Sequence, residues 1–186
     1  MKKNSFIKLL VTILITTFFF GKAYPSSKNF LKVDWSFAGL TGKFERDSLQ
    51  RGYQVYKEVC SSCHSMKYLS YRNLGQKGGP EFTIEEVKAI AASYDVEDGP
   101  NSEGEMFERP GRPSDHFVNP YPNDNAAIAA NGGAYPPDMS VLVKARPGGA
   151  NYIYSILMGY EEKPAGFVLD EGVYYNKYMD GNKIKM

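Results

Sequence analysis

The sequence is poor in the residues that build most metal sites and disulfides: its 186 residues include two cysteines and two histidines. A structural zinc site takes about four cysteine or histidine ligands, and here that number would require every cysteine and every histidine in the chain. A thioredoxin-like dithiol lies near a βαβ pattern, which the sequence does not contain. The cysteine pair therefore needs a different explanation.

Long apolar runs are absent beyond the N-terminus. Residues 1–23 have the composition of a cleavable signal peptide, with Lys2 and Lys3 as a basic start, an apolar stretch over 9–20 and small residues at the end. An uncleaved membrane anchor is the alternative, but Lys8 interrupts the run, and a span takes roughly 20 apolar residues. We expect cleavage, which removes four lysines and no acidic residue and takes the formal charge from +1 to −3.

Glycine and proline, by contrast, are abundant, with 18 and 11 residues, and they predict long irregular connections. A hydrophobic fraction of 42% and an aromatic fraction of 14% are enough to form a core. The length fits one domain of roughly 100–200 residues. We therefore predict one mainly α-helical domain over residues 24–186, with long irregular loops.

Local patterns divide this domain into helices and loops. Four segments are predicted to be helical: residues 47–59, 83–94, 124–130 and 151–158. Three segments are predicted to be irregular: residues 31–44, 95–122 and 161–186. Asp47 or Ser48 is the expected N-cap of the first helix, and Thr83 with Glu86 forms a capping box at the second. Gly52, inside the first helix, predicts the close approach of another helix.

The two cysteines belong to the motif Cys60-Ser61-Ser62-Cys63-His64. A Cys-x-x-Cys-His sequence has the spacing for covalent attachment of a c-type haem. Each thiol adds across one haem vinyl group, and the following histidine points at the iron, so His64 is predicted to be the proximal ligand. We therefore predict one covalently bound haem c, which leaves no cysteine for a disulfide.

The second axial ligand is not fixed by spacing alone. The candidate methionines are Met66, Met106, Met139, Met158, Met179 and Met186. Met66 is too close to His64 to reach the opposite face easily. Met158 lies on a helix and is expected to pack in the core, and Met139 follows a stiff pair of prolines. Met179 and Met186 remain, in a late loop that could cross the open face, with His116 as a bis-imidazole alternative. Methionine opposite histidine would raise the reduction potential.

Five blocks of sequence, in order, resemble the cytochrome c1 family, whose members are the haem c subunit of ubiquinol–cytochrome c reductase. They are Trp35-Ser36-Phe37 with residues 49–66, Asp98-Gly99-Pro100-Asn101 with Arg109-Pro110-Gly111, Asn131-Gly132-Gly133-Ala134 with Pro136-Pro137-Asp138-Met139-Ser140, Ala145-Arg146 with Gly148-Gly149, and Tyr152 with Gly159-Tyr160. The resemblance implies a class I cytochrome c-like haem domain with long irregular loops.

The resemblance also implies roles for individual residues. The family's sixth ligand follows a segment similar to Tyr174-Tyr175-Asn176, which by position is Met186. Arg146 and Tyr152 are implied to contact the haem propionates, and Asn131 and Pro137 to line the pocket. Members of the family continue past the methionine into a further helix and a membrane anchor, so we expect this chain, which stops at Met186, to be a fragment.

The implied function is electron transfer without an acid, base or nucleophile. The chain would take electrons from the Rieske iron–sulfur subunit, beside cytochrome b, and pass them to a soluble basic cytochrome c. The implied location is the periplasmic face of the bacterial inner membrane, with the intermembrane-space side of the mitochondrial inner membrane as the alternative. A free-standing diffusible periplasmic cytochrome is the competing function. No feature of the sequence indicates a nucleic-acid partner.

An acidic stretch bears on the choice of partner. Residues 81–108 contain nine acidic residues and one base, Lys88. A solvated face is the ordinary explanation for such a run. A docking surface for a basic electron acceptor is the functional one, because complementary charge speeds and orients transient encounters.

Overall fold

The computed structural model describes residues 29–186, so the predicted signal peptide lies outside the described residues. This part of the chain is mainly helical with long connections, as the sequence predicted, and it also contains two short hairpins that the sequence did not predict. The elements are α1 (Arg46–Glu58), a 3-10 turn (Cys60–Ser62), a second 3-10 turn (Tyr71–Gly75), α2 (Ile84–Ala92), β1 (Asp95–Asp98), β2 (Phe107–Pro110), α3 (Asp124–Ala130), α4 (Leu142–Ala145), α5 (Ala150–Met158), β3 (Tyr174–Tyr175), a third 3-10 turn (Asp180–Asn182) and β4 (Lys183–Ile184).

Helix α1 carries the chain into the Cys-x-x-Cys turn. The predicted helix is confirmed, but the predicted cap is wrong: Glu45 occupies the N-cap position and makes no side-chain cap hydrogen bond. Asp47 instead lies in the first turn, where its charge suits the helix dipole. Gly52 is exposed, and a Cβ there would meet nothing within 4 Å among residues 29–186. A helix packed on Gly52 therefore stays a prediction.

The core is built from aromatic and aliphatic side chains of α1, the second 3-10 turn, α2 and the segment near residue 117. The buried members are Tyr56, Tyr71, Leu74, Val87, Ala91 and Phe117. Tyr71 stacks on Phe117 with ring centroids 4.8 Å apart and on Tyr94 at 5.4 Å. Because each large apolar side chain contributes about 1.5–3 kcal/mol when fully buried, this cluster anchors the end of α1 and the turn that follows it.

Helix α2 confirms the predicted capping box. Thr83 Oγ1 accepts a hydrogen bond from the Glu86 backbone at 3.2 Å, and Glu86 accepts one from the Thr83 backbone at 2.8 Å. Beyond the helix, Gly111 packs directly against it, since a Cβ on Gly111 would lie 2.6 Å from the Ala91 carbonyl oxygen. Only glycine allows this close approach of the chain to the end of α2.

The prediction that residues 95–122 are irregular is wrong at the hairpin β1–β2. The strands pair antiparallel, with Asp95 opposite Pro110 and Glu97 opposite Glu108. Four-residue strands of mostly charged residues give no alternating apolar signal, so periodicity could not reveal them. Arg109 adds a side-chain link to this pairing, because its guanidinium bonds Asp98 on the other strand.

The remaining elements follow the sequence more closely. Helix α3 is confirmed; Asn123 caps it by accepting from the Ala126 backbone at 2.9 Å, and Gly133 closes it by donating to the Ile128 carbonyl at 2.8 Å. Helix α5 is confirmed as well. The segment 161–186 is irregular except for the third 3-10 turn and the two-residue strands β3 and β4, where Tyr174 pairs with Ile184. Within residues 29–186, no helix has the length and apolarity to cross a bilayer.

Candidate functional site

The Cys-x-x-Cys-His motif folds as one tight turn at the end of α1. The Cys60 carbonyl oxygen accepts hydrogen bonds from the Cys63 and His64 backbones, at 3.1 and 2.8 Å. The two thiols are free and half-buried. Burial raises the pKa of the Cys60 thiol, so this sulfur is protonated at neutral pH and is a poor nucleophile on its own. The turn places both sulfurs and the histidine within five consecutive residues.

His64 is oriented by a contact 73 residues away in sequence. Its Nδ1 lies 2.8 Å from the Pro137 carbonyl oxygen. A carbonyl can only accept, so Nδ1 carries a proton, and in the neutral imidazole the lone pair is then on Nε2. A carbonyl on the far nitrogen is the usual partner of a metal-binding histidine, since it fixes the tautomer and raises the ligand's basicity. The imidazole is thus prepared to bind a metal through Nε2.

Asp138, next to Pro137, is a site residue that the sequence alone did not indicate. Its Oδ2 accepts from Ser65 Oγ and from the Lys67 backbone, both at 2.8 Å, and its Oδ1 accepts from the Ser140 backbone at 2.9 Å. Burial opposes its ionisation, but these hydrogen bonds outweigh burial and hold the pKa of the carboxyl below its usual value. The Asp-x-Ser spacing after two prolines is typical of an Asx-turn and was the available signal.

Asn131 is connected to the motif through Tyr121. Asn131 Nδ2 donates to Tyr121 Oη at 3.2 Å and to the Ala127 carbonyl at 2.7 Å, and Tyr121 Oη lies 3.9 Å from Cys63 Sγ. Tyr121 was not predicted as a site residue. A cleft open to solvent borders Cys63 and Ser65 here, and its other lining residues include Asn119, Pro120, Tyr121 and Pro136.

Arg146 and Tyr152 flank the short connection between α4 and α5. Arg146 is the C-cap residue of α4, is exposed, and accepts from the Gly149 backbone at 3.0 Å through its carbonyl. Tyr152, in the first turn of α5, is half-buried and meets Phe30 edge-to-face at 5.4 Å. The two side chains therefore belong to one corner of the fold, which the N-terminal segment partly covers.

Met186 lies beyond β4 and is held through its backbone. Its carbonyl oxygen accepts from Tyr160 Oη at 3.2 Å, and its side chain is about half exposed, at 52%. The segment before it is fixed to α5 by Asn176, which is fully buried and donates to the Ile156 carbonyl at 2.7 Å. Gly159 permits this contact, since a Cβ there would lie 2.5 Å from Asn176 Oδ1.

The other candidate axial ligands have varied surroundings. The prediction that Met158 packs in the core is wrong: it is 58% exposed at the end of α5. Met66 and Met139 pack against the aromatic core, and Met106 is exposed. His116 is exposed and forms a backbone bridge with Ser70. Within residues 29–186, no cluster of three or more His, Cys, Asp or Glu side chains is arranged to hold a metal ion.

The acidic residues of 81–108 are exposed except for Asp98, which is half-buried. Arg109 binds Asp115 through two hydrogen bonds, of 2.7 and 3.1 Å, and also bonds Asp98. These bonds lower the pKa of both carboxyls. Glu97 and Glu108 instead lie directly opposite each other on the hairpin, both exposed.

The comparisons with known proteins agree with one another. The family model for the Cytochrome C1 family matches residues 35–186. Over 82% of this chain, the sequence is 53% identical to cytochrome c1-2, heme protein, mitochondrial, of Solanum tuberosum and 50% identical to cytochrome b/c1 of Bradyrhizobium diazoefficiens. It is 46% identical, over 83% of the chain, to cytochrome c1 of Rhodospirillum rubrum.

The matched region is only part of each relative. It covers 57% of the potato protein, 25% of the Bradyrhizobium protein and 62% of the Rhodospirillum protein. The family match nevertheless extends over more than half of this chain and includes the Cys-x-x-Cys-His turn, the Pro137–Asp138 segment and Met186. On this evidence the chain belongs to the cytochrome c1 family.

Proposed function

We propose that this chain is the haem c electron-transfer subunit of a ubiquinol–cytochrome c reductase, which receives single electrons from the Rieske iron–sulfur protein and passes them to a soluble cytochrome c. The observation that carries the proposal is the 2.8 Å contact between His64 Nδ1 and the Pro137 carbonyl, directly after a Cys-x-x-Cys turn. Relatives named cytochrome c1, heme protein, and cytochrome b/c1 support the cofactor and the complex.

The residues present fit a covalently attached haem. Cys60 and Cys63 are free thiols on one turn, and the adjacent His64 has its Nε2 available. Two thiols and one imidazole at this spacing are the donor set of a c-type haem. We infer one haem c per chain, since these are the only cysteines in the sequence.

When bound, haem c supplies a ferric/ferrous couple that exchanges one electron at a time. The chain's own residues hold this group and set its surroundings. His64 offers Nε2, and the Pro137 carbonyl raises the basicity of that nitrogen. Met186 is the proposed second axial ligand, and its thioether would favour the ferrous state.

The other proposed contacts are with the edge of the cofactor. Arg146 is proposed to bind a propionate through parallel, charge-assisted hydrogen bonds. Tyr152 is proposed to donate a hydrogen bond from its hydroxyl to the same propionate. Asn131 and Pro137 are proposed to line the pocket. The exposed position of Arg146 and its place in the same corner as Tyr152 support this assignment.

The proposed setting is the periplasmic face of a bacterial inner membrane. We infer a class I cytochrome c-like domain over residues 24–186, exported by cleavage of residues 1–23 and placed beside cytochrome b and the Rieske subunit. The basic and then apolar composition of residues 1–23 favours export to the periplasm. N-terminal sequencing of the mature protein and cell fractionation would test both inferences.

Covalent attachment is tested by producing the chain in a host that matures c-type cytochromes. The pyridine haemochrome spectrum should show both vinyl groups consumed. The variants Cys60→Ser and Cys63→Ser should each shift that spectrum towards a haem with one remaining vinyl. Ser61→Ala, with the spacing intact, is the matched control. A colourless wild-type chain, or zinc in place of haem, would reject the proposed function.

Electron delivery is tested at the acidic hairpin. Glu97 and Glu108 are like charges directly opposite in a strand pair, an arrangement that destabilises a hairpin. A basic cytochrome c bound here would relieve that repulsion, and attraction between the opposite charges would raise the rate of association. We therefore propose the exposed face around these two residues as the docking surface for the acceptor.

The double variant Glu97→Gln/Glu108→Gln should slow electron transfer to a basic cytochrome c at low salt and weaken its dependence on ionic strength. The matched control is Asp170→Asn/Glu171→Gln, which removes the same charge from an exposed turn outside the acidic stretch. Equal rates for both doubles, or a wild-type rate that ignores ionic strength, would exclude this surface as the docking site.

A further inference from the structure

Asp138 joins two segments that meet at the candidate haem ligand. Besides the three hydrogen bonds that its carboxylate accepts, the Met139 backbone donates to the Ser65 carbonyl at 2.8 Å, and the Tyr68 backbone donates to Ser140 Oγ at 3.1 Å. With the His64–Pro137 contact, these bonds fasten residues 64–68 to residues 137–140 along their whole length. Asp138 lies in the middle of this contact.

A carboxylate is specifically required at this position. Asp138 accepts from two backbone N–H groups, one on each oxygen, and Oδ2 also accepts from the buried Ser65 hydroxyl. An asparagine would turn its amide nitrogen towards one of those N–H groups in either orientation, which sets donor against donor. The hydrogen bonds to a charged acceptor are also roughly twice as strong as neutral ones.

Within the proposed haem function, on which this inference rests, we propose that Asp138 is a positioning residue for the His64 ligand. By holding Pro137 in place it keeps that carbonyl on Nδ1, which strengthens the imidazole as a donor through Nε2. Its negative charge near the ligand favours the more positive ferric state by Coulomb attraction. Both effects lower the reduction potential, so Asp138 acts on the potential without touching the cofactor.

The test compares isosteric variants of the full haem-loaded chain. Asp138→Asn should raise the reduction potential in spectroelectrochemical titration, with a several-fold larger equilibrium constant for reduction. It should also speed exchange of the His64 Nδ1 proton in NMR of the ferrous protein. Asp124→Asn is the control, because Asp124 contacts the Lys67 and Tyr135 side chains at 3.5 and 3.2 Å but not the backbone of residues 64–68. It should leave the proton exchange at the wild-type rate and raise the potential by less than Asp138→Asn, because the Asp124 carboxylate is mostly exposed to solvent.

A second variant covers the case in which Asp138→Asn fails to mature. Ser65→Ala/Ser140→Ala removes two side-chain bonds of the same contact and keeps the charge, so the proton exchange should accelerate and the potential should rise by less than in Asp138→Asn. If haem-bearing Asp138→Asn keeps the wild-type potential and proton exchange, the inference about Asp138 is wrong, but the proposed function stands. If Asp138→Asn gives no product, the same result in the double variant has the same meaning. A wild-type chain without haem would overturn the proposed function with it.

Discussion

The Tyr56 hydroxyl donates a hydrogen bond to the His64 carbonyl oxygen at 3.2 Å. Tyr56 is buried in the aromatic core, so this bond connects the packing of α1 to the backbone of the candidate ligand. Burial raises the pKa of the Tyr56 phenol, with nearby tyrosines and Asp138 adding to the shift. The phenol is therefore neutral, and a donor, throughout the physiological pH range.

Tyr56→Phe should lower the free energy of unfolding by about 1 kcal/mol, because it removes one hydrogen bond but keeps the ring. Chemical denaturation would measure the change. Tyr68→Phe, at a tyrosine that is 71% exposed, should have no measurable effect. Equal losses of unfolding free energy in the two variants would show that the hydrogen bond from Tyr56 to the His64 carbonyl does not stabilise the fold.

Asn176→Ala should destabilise the C-terminal segment. Asn176 donates to the Ile156 carbonyl at 2.7 Å and accepts from the Tyr178 backbone at 3.0 Å, and the site is fully buried. Leaving both partners unpaired should cost roughly 2–4 kcal/mol. Hydrogen exchange should rise over residues 174–186 and much less elsewhere, whereas Asn125→Ala, at an exposed asparagine of α3, should leave exchange unchanged.

Asn151 ties the N-terminal segment to α5, and its replacement should be visible through Trp35. Asn151 Oδ1 accepts from Trp35 Nε1 at 2.8 Å and from the Val33 backbone at 3.2 Å. Asn151→Leu should cost about 1–3 kcal/mol and shift the Trp35 emission to longer wavelength, an unambiguous signal because the chain has one tryptophan. Asn151→Asp keeps the acceptor oxygen and should retain most of the wild-type emission.

The Arg109 cluster should make the hairpin sensitive to acid. Bonds to Arg109 lower the pKa values of Asp98 and Asp115 in the folded chain. A lowered folded pKa stabilises the protein above the unfolded pKa of about 3.9 and loses that stabilisation as the pH falls through the folded value. Arg109→Met should therefore lower Tm at neutral pH, and the difference from wild type should shrink below about pH 4. A constant difference in Tm across that range would contradict this linkage.

The sequence predicted the features whose signals are local. The Thr83 capping box, the α3 helix before its two glycines, and the Cys-x-x-Cys-His turn each depend on residues within a few positions. It did not predict β1 and β2, because their mostly charged residues give no alternating apolar pattern, and Arg109 meets its two carboxylate partners only in the folded chain. Met158 was misplaced because its helical spacing indicates a face but not which face is covered.

The site was predictable to the same extent. The motif indicated Cys60, Cys63 and His64, and the family resemblance indicated Pro137, but neither shows which atom of Pro137 meets the imidazole. Asp138 and Tyr121 act through contacts 71–73 and 58 residues away in sequence. A single sequence carries no signal for such distances without knowledge of the fold.

The bonds of Asn176 to α5 and of Tyr160 to the Met186 carbonyl restrict the segment that leads to Met186, the proposed second axial ligand. A free tail would lose conformational entropy on closing over a cofactor, and that loss grows with the length of the closing loop. Here part of that entropy is already lost on folding, since the segment leading to Met186 is anchored in two places. The thioether of Met186, the proposed second axial ligand, would then bind and release without unfolding of the rest of the domain.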